Sequence, residues 1–455
     1  MGLLTSIINT ATAFKVFSQA METTENNVVN SSTPGYAKQV ATFIALPFDP
    51  SVGLPGGVAA GPVESTRSAF AEQAVRSQQS QLGYQQQVST DLTQLQNYYD
   101  PSDTTGVPAS LDALFGSFSA LSVSPNNTNA RQAVITQAQQ VAQSFQQTAT
   151  GLGTAANDEN QQTGGVVSQI NQLATQIAAI NGQSQGHAYM GTDAGVDASL
   201  TSDLEQLSQL VNFTALKQPD GSVTVYMGNQ TPLVIGPTAQ TITANFSSQQ
   251  TQILDGEGND ITGELTGGSL GGLLQVSNTQ IPAYVSAMNT LAQSVADQVN
   301  TTLFNGVDQN GAAPTTNLFS YDATVGAATT LTLNSLTPDQ IAAALPDAPG
   351  GNGNALALAQ LANATPVNGS TFDAFYGQAS AKVGTDLSDA NAYVSTDQQL
   401  LTQSQTLRNN ISGVSLDQEA ANLISFQAAY NATAKLLSVL NNLTETLMTV
   451  IPPAS

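Results

Sequence analysis

The sequence predicts a mainly α protein with an inserted small β domain. Paired N- and C-terminal coiled-coil helices flank a helical bundle domain that carries a β/mixed region. Three observations lead there. Apolar residues recur at alternating four-and-three spacing at both ends of the chain, the signature of a coiled-coil seam. Helical spacing gives way to strand alternation near residue 213. Helical spacing then resumes from Leu274.

The N-terminal seam is Leu3, Ile7, Thr10, Phe14, Phe17, Met21, Thr24 and Val28. Asn26, Asn27, Asn30, Ser31 and Ser32 close that helix, Thr33-Pro34-Gly35-Tyr36 forces a turn, and Val40 to Phe48 continues extended. Val75, Leu82, Val88, Leu92, Leu95 and Tyr99 mark a Gln-rich amphipathic helix, and Val107, Leu111, Leu114, Phe118 and Leu121 a shorter one. Residues 129–181 keep a helical pattern, with a break or fraying expected around Gly151-Leu152-Gly153 and Gly164-Gly165. Leu200, Leu204, Leu207 and Val211 mark one more helix.

The β insertion opens with Phe213 to Gln218 and Ser222 to Met227 around Pro219-Asp220-Gly221, a strong hairpin signal. Thr231 to Ile235, Thr241 to Phe246 and Gln252 to Leu254 add short strands, and the Gly-rich run 267–272 closes the insertion. Leu274 to Phe304 is helical. Residues 318–370 mix a strand at Thr329 to Leu333 with short helices, one starting at the Thr337-Pro338 cap. Asp347 to Asn354 reads as a flexible linker, and Phe372 to Ile411 as a long return helix.

A heptad written from Leu416 puts Leu416, Leu423, Tyr430, Leu437, Thr444 and Ile451 at a, with Glu419, Phe426, Thr433, Leu440 and Leu447 at d. Ser415 and Gln418 form a capping box at its start. Burial along such a seam, together with the net gain from its helix hydrogen bonds, roughly balances the entropy of ordering it. The expectation is termini that order fully only inside an assembly. The division that follows is 1–74 plus 413–455 as a terminal assembly domain, and 75–211 plus 273–305 and 371–412 as a helical domain. Residues 212–272 form the inserted β domain and 306–370 a mixed insertion.

Composition excludes several functions. Nine basic residues and a net charge of −23 are far from a nucleic-acid binder, which neutralises phosphates with Lys and Arg. No stretch reads as a membrane span or a basic-headed signal peptide, so no membrane insertion is expected. No catalytic residue, cofactor site or metal site is assigned. The single His187 and absent Cys support neither a zinc site nor a nucleophile–base pair. Asp255-Gly256-Glu257-Gly258-Asn259-Asp260 lacks EF-hand spacing and reads as a turn, and 267–272 lacks the Gly-Lys-Ser/Thr of a phosphate loop.

The stretch Asn26 to Gln39 resembles the N-terminal signature of the bacterial flagellar axial proteins, the rod, hook and hook-associated family. Gly56-Gly57-Val58, Gly61-Pro62-Val63, Arg67, Phe70, Gln73, Arg76 and Gly83 extend the likeness to the hook-associated branch. Phe115 to Leu121, Ser124-Pro125-Asn126, Ala130 to Val134 and Ile170 to Asn181 continue it. Ser412 to Asp417, Glu419 to Leu423, Phe426-Gln427 and Ala429-Tyr430 resemble the C-terminal signature.

The resemblance implies a non-enzymatic structural subunit of the hook–filament junction, extracellular, with the β/mixed domain facing outward. It implies export in the unfolded state by the flagellar type III pathway, with an export chaperone on the C-terminal region. The implied partners are further copies in a ring or tube, the flagellar hook protein and the next hook-associated protein. The assembly seam would be Leu3, Ile7, Phe14, Phe17, Met21 and Val28 against Leu416, Leu423, Phe426, Tyr430, Leu437, Leu440 and Leu447. The signature turn would be Asn26, Asn30, Thr33, Pro34, Gly35 and Tyr36. A hook or rod protein, or a secreted adhesin, are the alternatives.

Overall fold

The computed structural model describes residues 2–49, 54–99, 106–185, 193–228, 230–248 and 250–450. The elements run α1 (Gly2–Val29), β1 (Gln39–Ala45), β2 (Phe48–Asp49), β3 (Leu54–Pro55), β4 (Val58–Ser65), α2 (Ala69–Gln96), α3 (Gly106–Val123), α4 (Thr128–Gln185) and α5 (Ala194–Leu210). Strands β5 (Phe213–Lys217), β6 (Val223–Met227), β7 (Thr231–Ile235), β8 (Thr238–Ala239), β9 (Thr243–Asn245) and β10 (Gln252–Leu254) follow. Then come α6 (Gly268–Gln275), a π turn (Val276–Gln280), α7 (Ile281–Phe304), β11 (Phe319–Ser320), α8 (Ala327–Thr330), β12 (Thr332–Leu333), α9 (Gly353–Gln360), α10 (Phe372–Ser412) and α11 (Leu416–Val450). The fold is mainly helical with small sheets, the class the sequence predicts.

Two compact units emerge, one of residues 1–82, 169–241 and 397–455, the other of 83–168 and 242–396. In the first, α1 packs along α11 and β1 pairs antiparallel with β4. That ladder shifts register between Ala41 and Phe43. A Cβ on Gly61 would lie 2.2 Å from Thr42 Oγ1, so the bulge needs glycine there. Strands β5 to β8 form a four-stranded antiparallel sheet in sequence order. Its first turn holds Gly221 at φ +87°, while Asp220 Oδ1 accepts from the Ser222 amide and hydroxyl. Buried Asn181 of α4 joins this sheet by accepting from the Val223 amide and donating to the Val223 and Gly236 carbonyls.

The second unit has the larger apolar core. Leu92 and Leu95 of α2, Leu114 and Phe118 of α3, Val141 and Phe145 of α4, and Val295 and Val299 of α7 are all buried in it. Phe115 stacks on Phe372 at 5.7 Å and 8°. Buried Arg131 donates Nε to the Pro125 carbonyl and Nη1 to the Ile341 carbonyl, which fixes residues 338–341 on α4.

Three expectations are corrected. Helix α4 runs unbroken through Gly151 to Gly153 and Gly164-Gly165. Buried Leu152, Ala155, Glu159, Thr163 and Val167 form one continuous stripe, and that packing outweighs a glycine penalty of about 1 kcal/mol each. Asp347 to Asn354 is not a free linker, because Asn354 is buried and donates to the Ala342 carbonyl at 2.7 Å. Helix α3 does reach the length and apolarity of a membrane span, yet its Val107, Leu111, Leu114, Phe118 and Leu121 lie in the core. A helix apolar on most sides is also what a bundle interior requires.

Candidate functional site

The site grows from one side chain, Asn27 at the end of α1. It is buried. Its Oδ1 accepts from the Gln39 amide at 2.8 Å and from the Tyr36 hydroxyl at 2.9 Å. Its Nδ2 donates to the Gln39 carbonyl at 2.8 Å and to Glu419 Oε2 at 3.1 Å. Asn27 thus satisfies the β1 backbone where β1 begins and also grips α11. Glu419 is fully buried, and Lys38 Nζ stands 2.9 Å from its Oε1. The Lys38 amide donates to the Ser412 carbonyl, and the Ser412 hydroxyl to the Thr66 carbonyl. Burial, then the Glu419 charge, raises the pKa of Tyr36 above that of an ordinary phenol.

Gly35 holds the turn at φ +72°, and a Cβ there would lie 2.3 Å from the Ala198 carbonyl oxygen. Its own carbonyl accepts from Arg67 Nη2. Arg67 also donates Nε to Asp197 Oδ2 at 2.6 Å and Nη1 to Glu72 Oε1 at 2.7 Å. Arg408 of α10 pairs with Glu205 and lies 3.5 Å from Glu72 Oε2. Lys217 lies 3.7 Å from Asp197 Oδ1. Burial lowers the pKa of Arg76, while Glu72 and Glu205 oppose that shift. Five of the nine basic residues of the chain, Lys38, Arg67, Arg76, Lys217 and Arg408, therefore gather around this corner.

An open, mainly polar cavity of about 620 Å³ sits beside the turn, lined by residues 31–36, Lys38, Arg67, Glu72, 408–415 and Gln418.

The paired helices continue from the corner. Phe14 meets Tyr430 with ring centroids 4.1 Å apart, and Phe43 of β1 sits 6.4 Å from Phe17 and 6.1 Å from Phe426. Leu3, Ile7, Phe14, Phe17, Met21, Leu423, Phe426, Tyr430, Leu437 and Leu440 are half-buried. Val28, Leu416 and Leu447 are exposed. At the end of α1 the buried positions are Thr23, Thr24 and Asn27. A straight helix drifts against a strict seven-residue repeat, so Asn27 rather than Val28 turns inward. Ile451 lies outside the described residues. A second apolar row on α11, Leu436, Val439 and Leu443, is exposed, as are Ile424 and Met448 on other faces of that helix and Leu4 and Ile8 of α1.

In the signature turn, Asn30 Nδ2 donates to the Asn26 carbonyl at 3.0 Å, and Thr33 donates its hydroxyl to Asn30 Oδ1 and its amide to the Asn30 carbonyl. Pro34 is exposed on its outer surface. The sequence assigns Asn26 and Asn30 to the turn and marks Asn27, Lys38, Arg67 and Glu419 only as helix-end, signature and heptad positions. The available signal was an acid at a d position in a chain of few charges.

Among the described residues no group of three or more His, Asp or Glu could hold a metal ion. His187 lies outside them. Asp255 Oδ1 accepts from the Glu257 and Asn259 amides, which closes a turn. In the Gly-rich run, a Cβ on Gly272 would lie 2.7 Å from the Tyr84 carbonyl oxygen, so this glycine permits close helix packing.

Comparison with known proteins points to flagellar proteins over most of the chain. The family model described as the flagellar hook-associated protein FlgK helical domain matches residues 92–319. The flagellar basal body rod FlgEFG protein C-terminal model matches residues 405–450. Flagellar hook-associated protein 1 of Bacillus subtilis (strain 168) is 24% identical over 476 residues, covering 93% of this chain and 94% of that protein. The protein of the same name from Escherichia coli (strain K12) is 27% identical over 326 residues, 68% of this chain and 59% of its own length. The structure of the flagellar hook junction protein FlgK from Burkholderia pseudomallei superposes with a TM-score of 0.67 at 18% identity, covering 75% of this chain and 100% of that one. With a helical-domain match over half of its residues, the chain belongs to the flagellar hook-associated protein FlgK family of flagellar structural proteins.

Proposed function

We propose that the chain is a non-enzymatic structural subunit of the junction between flagellar hook and filament, and that it polymerises through α1 and α11. The observation that carries this is the terminal helix pair: locked at one end by the Asn27–Glu419–Lys38 corner, it still exposes an apolar row from Leu436 to Leu443. Contiguous exposed apolar surface of this kind is what an assembly interface leaves open in the free subunit. The seam from Leu3 to Met21 and from Leu423 to Leu440 orders the subunit, and the corner from Asn26 to Tyr36 ties the end of α1 to the start of α11. In this reading 1–74 with 413–455 form the assembly domain. Residues 75–211 with 273–305 and 371–412 form the helical body, and the exposed sides of 212–272 and 306–370 make the outer contacts.

The partners are further copies, the hook protein and the next hook-associated protein. Export proceeds in the unfolded state through the flagellar type III pathway to the cell exterior, with a chaperone covering the C-terminal region beforehand. The helical-domain match at 92–319 favours a junction protein over a hook or rod subunit. Electron microscopy of cells lacking the gene tests the reading. Hooks without filaments, with filament protein shed into the medium, are the expected result. Absent hooks would reassign the chain to rod or hook, and normal filaments would overturn a junction role.

A further inference from the structure

Helix α2 meets α4 in the second unit through two acids. Asp91 and Glu159 are both almost wholly buried, and their carboxyls lie within hydrogen-bonding reach of each other. Gln87 Nε2 donates to Asp91 Oδ1 at 2.8 Å and lies 3.3 Å from Gln162 Oε1. Apart from each other, Asp91 Oδ2 and Glu159 Oε2 meet no hydrogen-bond donor among the described residues, and the buried Thr163 Oγ1 meets no partner there. Tyr84, two turns before Asp91 on α2, has its pKa raised by burial and carries no charge to the pair. Asp158 on α4 adds to the negative potential at Glu159. Residues 268–280, which bring Gly272 against Gln87, contain no charged or titratable group. Helix α10, joined to α2 by Ser89–Asn391, carries Asp389 and also Asp386, which is held by Tyr284 and Lys382.

Two carboxylates cannot both stay ionised in contact, out of water and without a cation. We propose that Asp91 and Glu159 hold a proton between them and form an acid-side clasp joining α2 to α4, released as the medium turns alkaline. Burial raises both pKa values above the ordinary carboxylate range, to about 7 for Asp91 and about 9 for Glu159, and at Glu159 the neighbouring Asp91 charge raises it further. These two titration steps belong to the pair as a whole. The sign follows from proton linkage: the folded chain holds protons that the unfolded chain releases near pH 4, so stability falls as pH climbs from about 4 toward about 9.

The test uses the full chain. Infrared spectra should show absorption from a protonated carboxyl at neutral pH. This band should disappear as the pH rises past about 9 and be missing from an Asp91→Asn/Glu159→Gln double variant. Heating curves should show the wild-type midpoint falling more steeply than the variant's between about pH 5 and about pH 9. If the double variant does not fold, the wild-type infrared titration decides alone, and Asp91→Asn by itself supplies the comparison. No protonated-carboxyl band at neutral pH would overturn the clasp. So would a melting point raised by millimolar calcium or magnesium in the wild type and not in the variant, because a cation would then be neutralising the pair.

Discussion

Asn27 shows how one amide can define a joint. Its four partners lie on the turn, the first strand and the last helix, so Asn27→Ala removes one side chain and leaves a buried amide, carbonyl and carboxylate oxygen short of partners. Each lost partner costs about 1–3 kcal/mol. The full-length variant is expected to lose about 2–4 kcal/mol in urea unfolding, whereas Asn26→Ala, at an exposed position one residue away, should change it by less than about 0.5 kcal/mol. Equal effects would remove Asn27 from its role. The sequence displays Asn26, Asn27 and Asn30 as a run without marking which one turns inward. That depends on helix drift over seven turns, a cumulative angle no local motif reports.

The element that best separates local rule from tertiary outcome is α4. Its glycines resemble breaks in the sequence, yet the stripe from Leu152 to Val167 carries the helix across them. The glycines are not equivalent. A Cβ at Gly153, Gly164 or Gly165 would meet nothing within 4 Å, whereas at Gly151 it would lie 2.4 Å from the Tyr98 ring. Gly164→Ala is therefore expected to stabilise the protein by about 0.5–1 kcal/mol, and Gly151→Ala to destabilise it by about 1–3 kcal/mol through overpacking. Thermal unfolding of the two variants checks both signs. Elements with a long apolar period were legible in advance: α2, α3, α7, α10 and α11 stand where their patterns put them. Short pieces were less so. Thr329 and Thr330 belong to α8, and only Thr332-Leu333 is strand, because Thr330 bonds back to the Gly326 carbonyl and Asp322.

At the scale of the whole molecule, acidity opposes self-association while the exposed row on α11 favours it. Like charges on copies of a −23 chain repel at low salt and are screened within about 8 Å at physiological ionic strength. Sedimentation is therefore expected to show association rising with salt, and Leu436→Ser, at an exposed site, should abolish that rise without moving the melting point. Association that weakens with salt would assign the contact to ion pairs instead. The pattern of the seam was legible because period survives in sequence. The ionic corner was not, because it joins residues as far apart as Lys38, Arg67, Asp197, Glu205 and Arg408, and only the fold brings them together. Gathering five of nine cations in one corner also leaves the remainder of the chain nearly without them. No Lys or Arg occurs between Lys217 and Lys382, so a trypsin-like protease has no bond to cut across that whole stretch, folded or unfolded. Of the sites it could cut elsewhere, Lys38, Arg67 and Arg408 are held in ion pairs and at most 21% exposed. Across residues 218–381, resistance to proteases that require a basic residue is thus written into the placement of charge, before any contribution from stability.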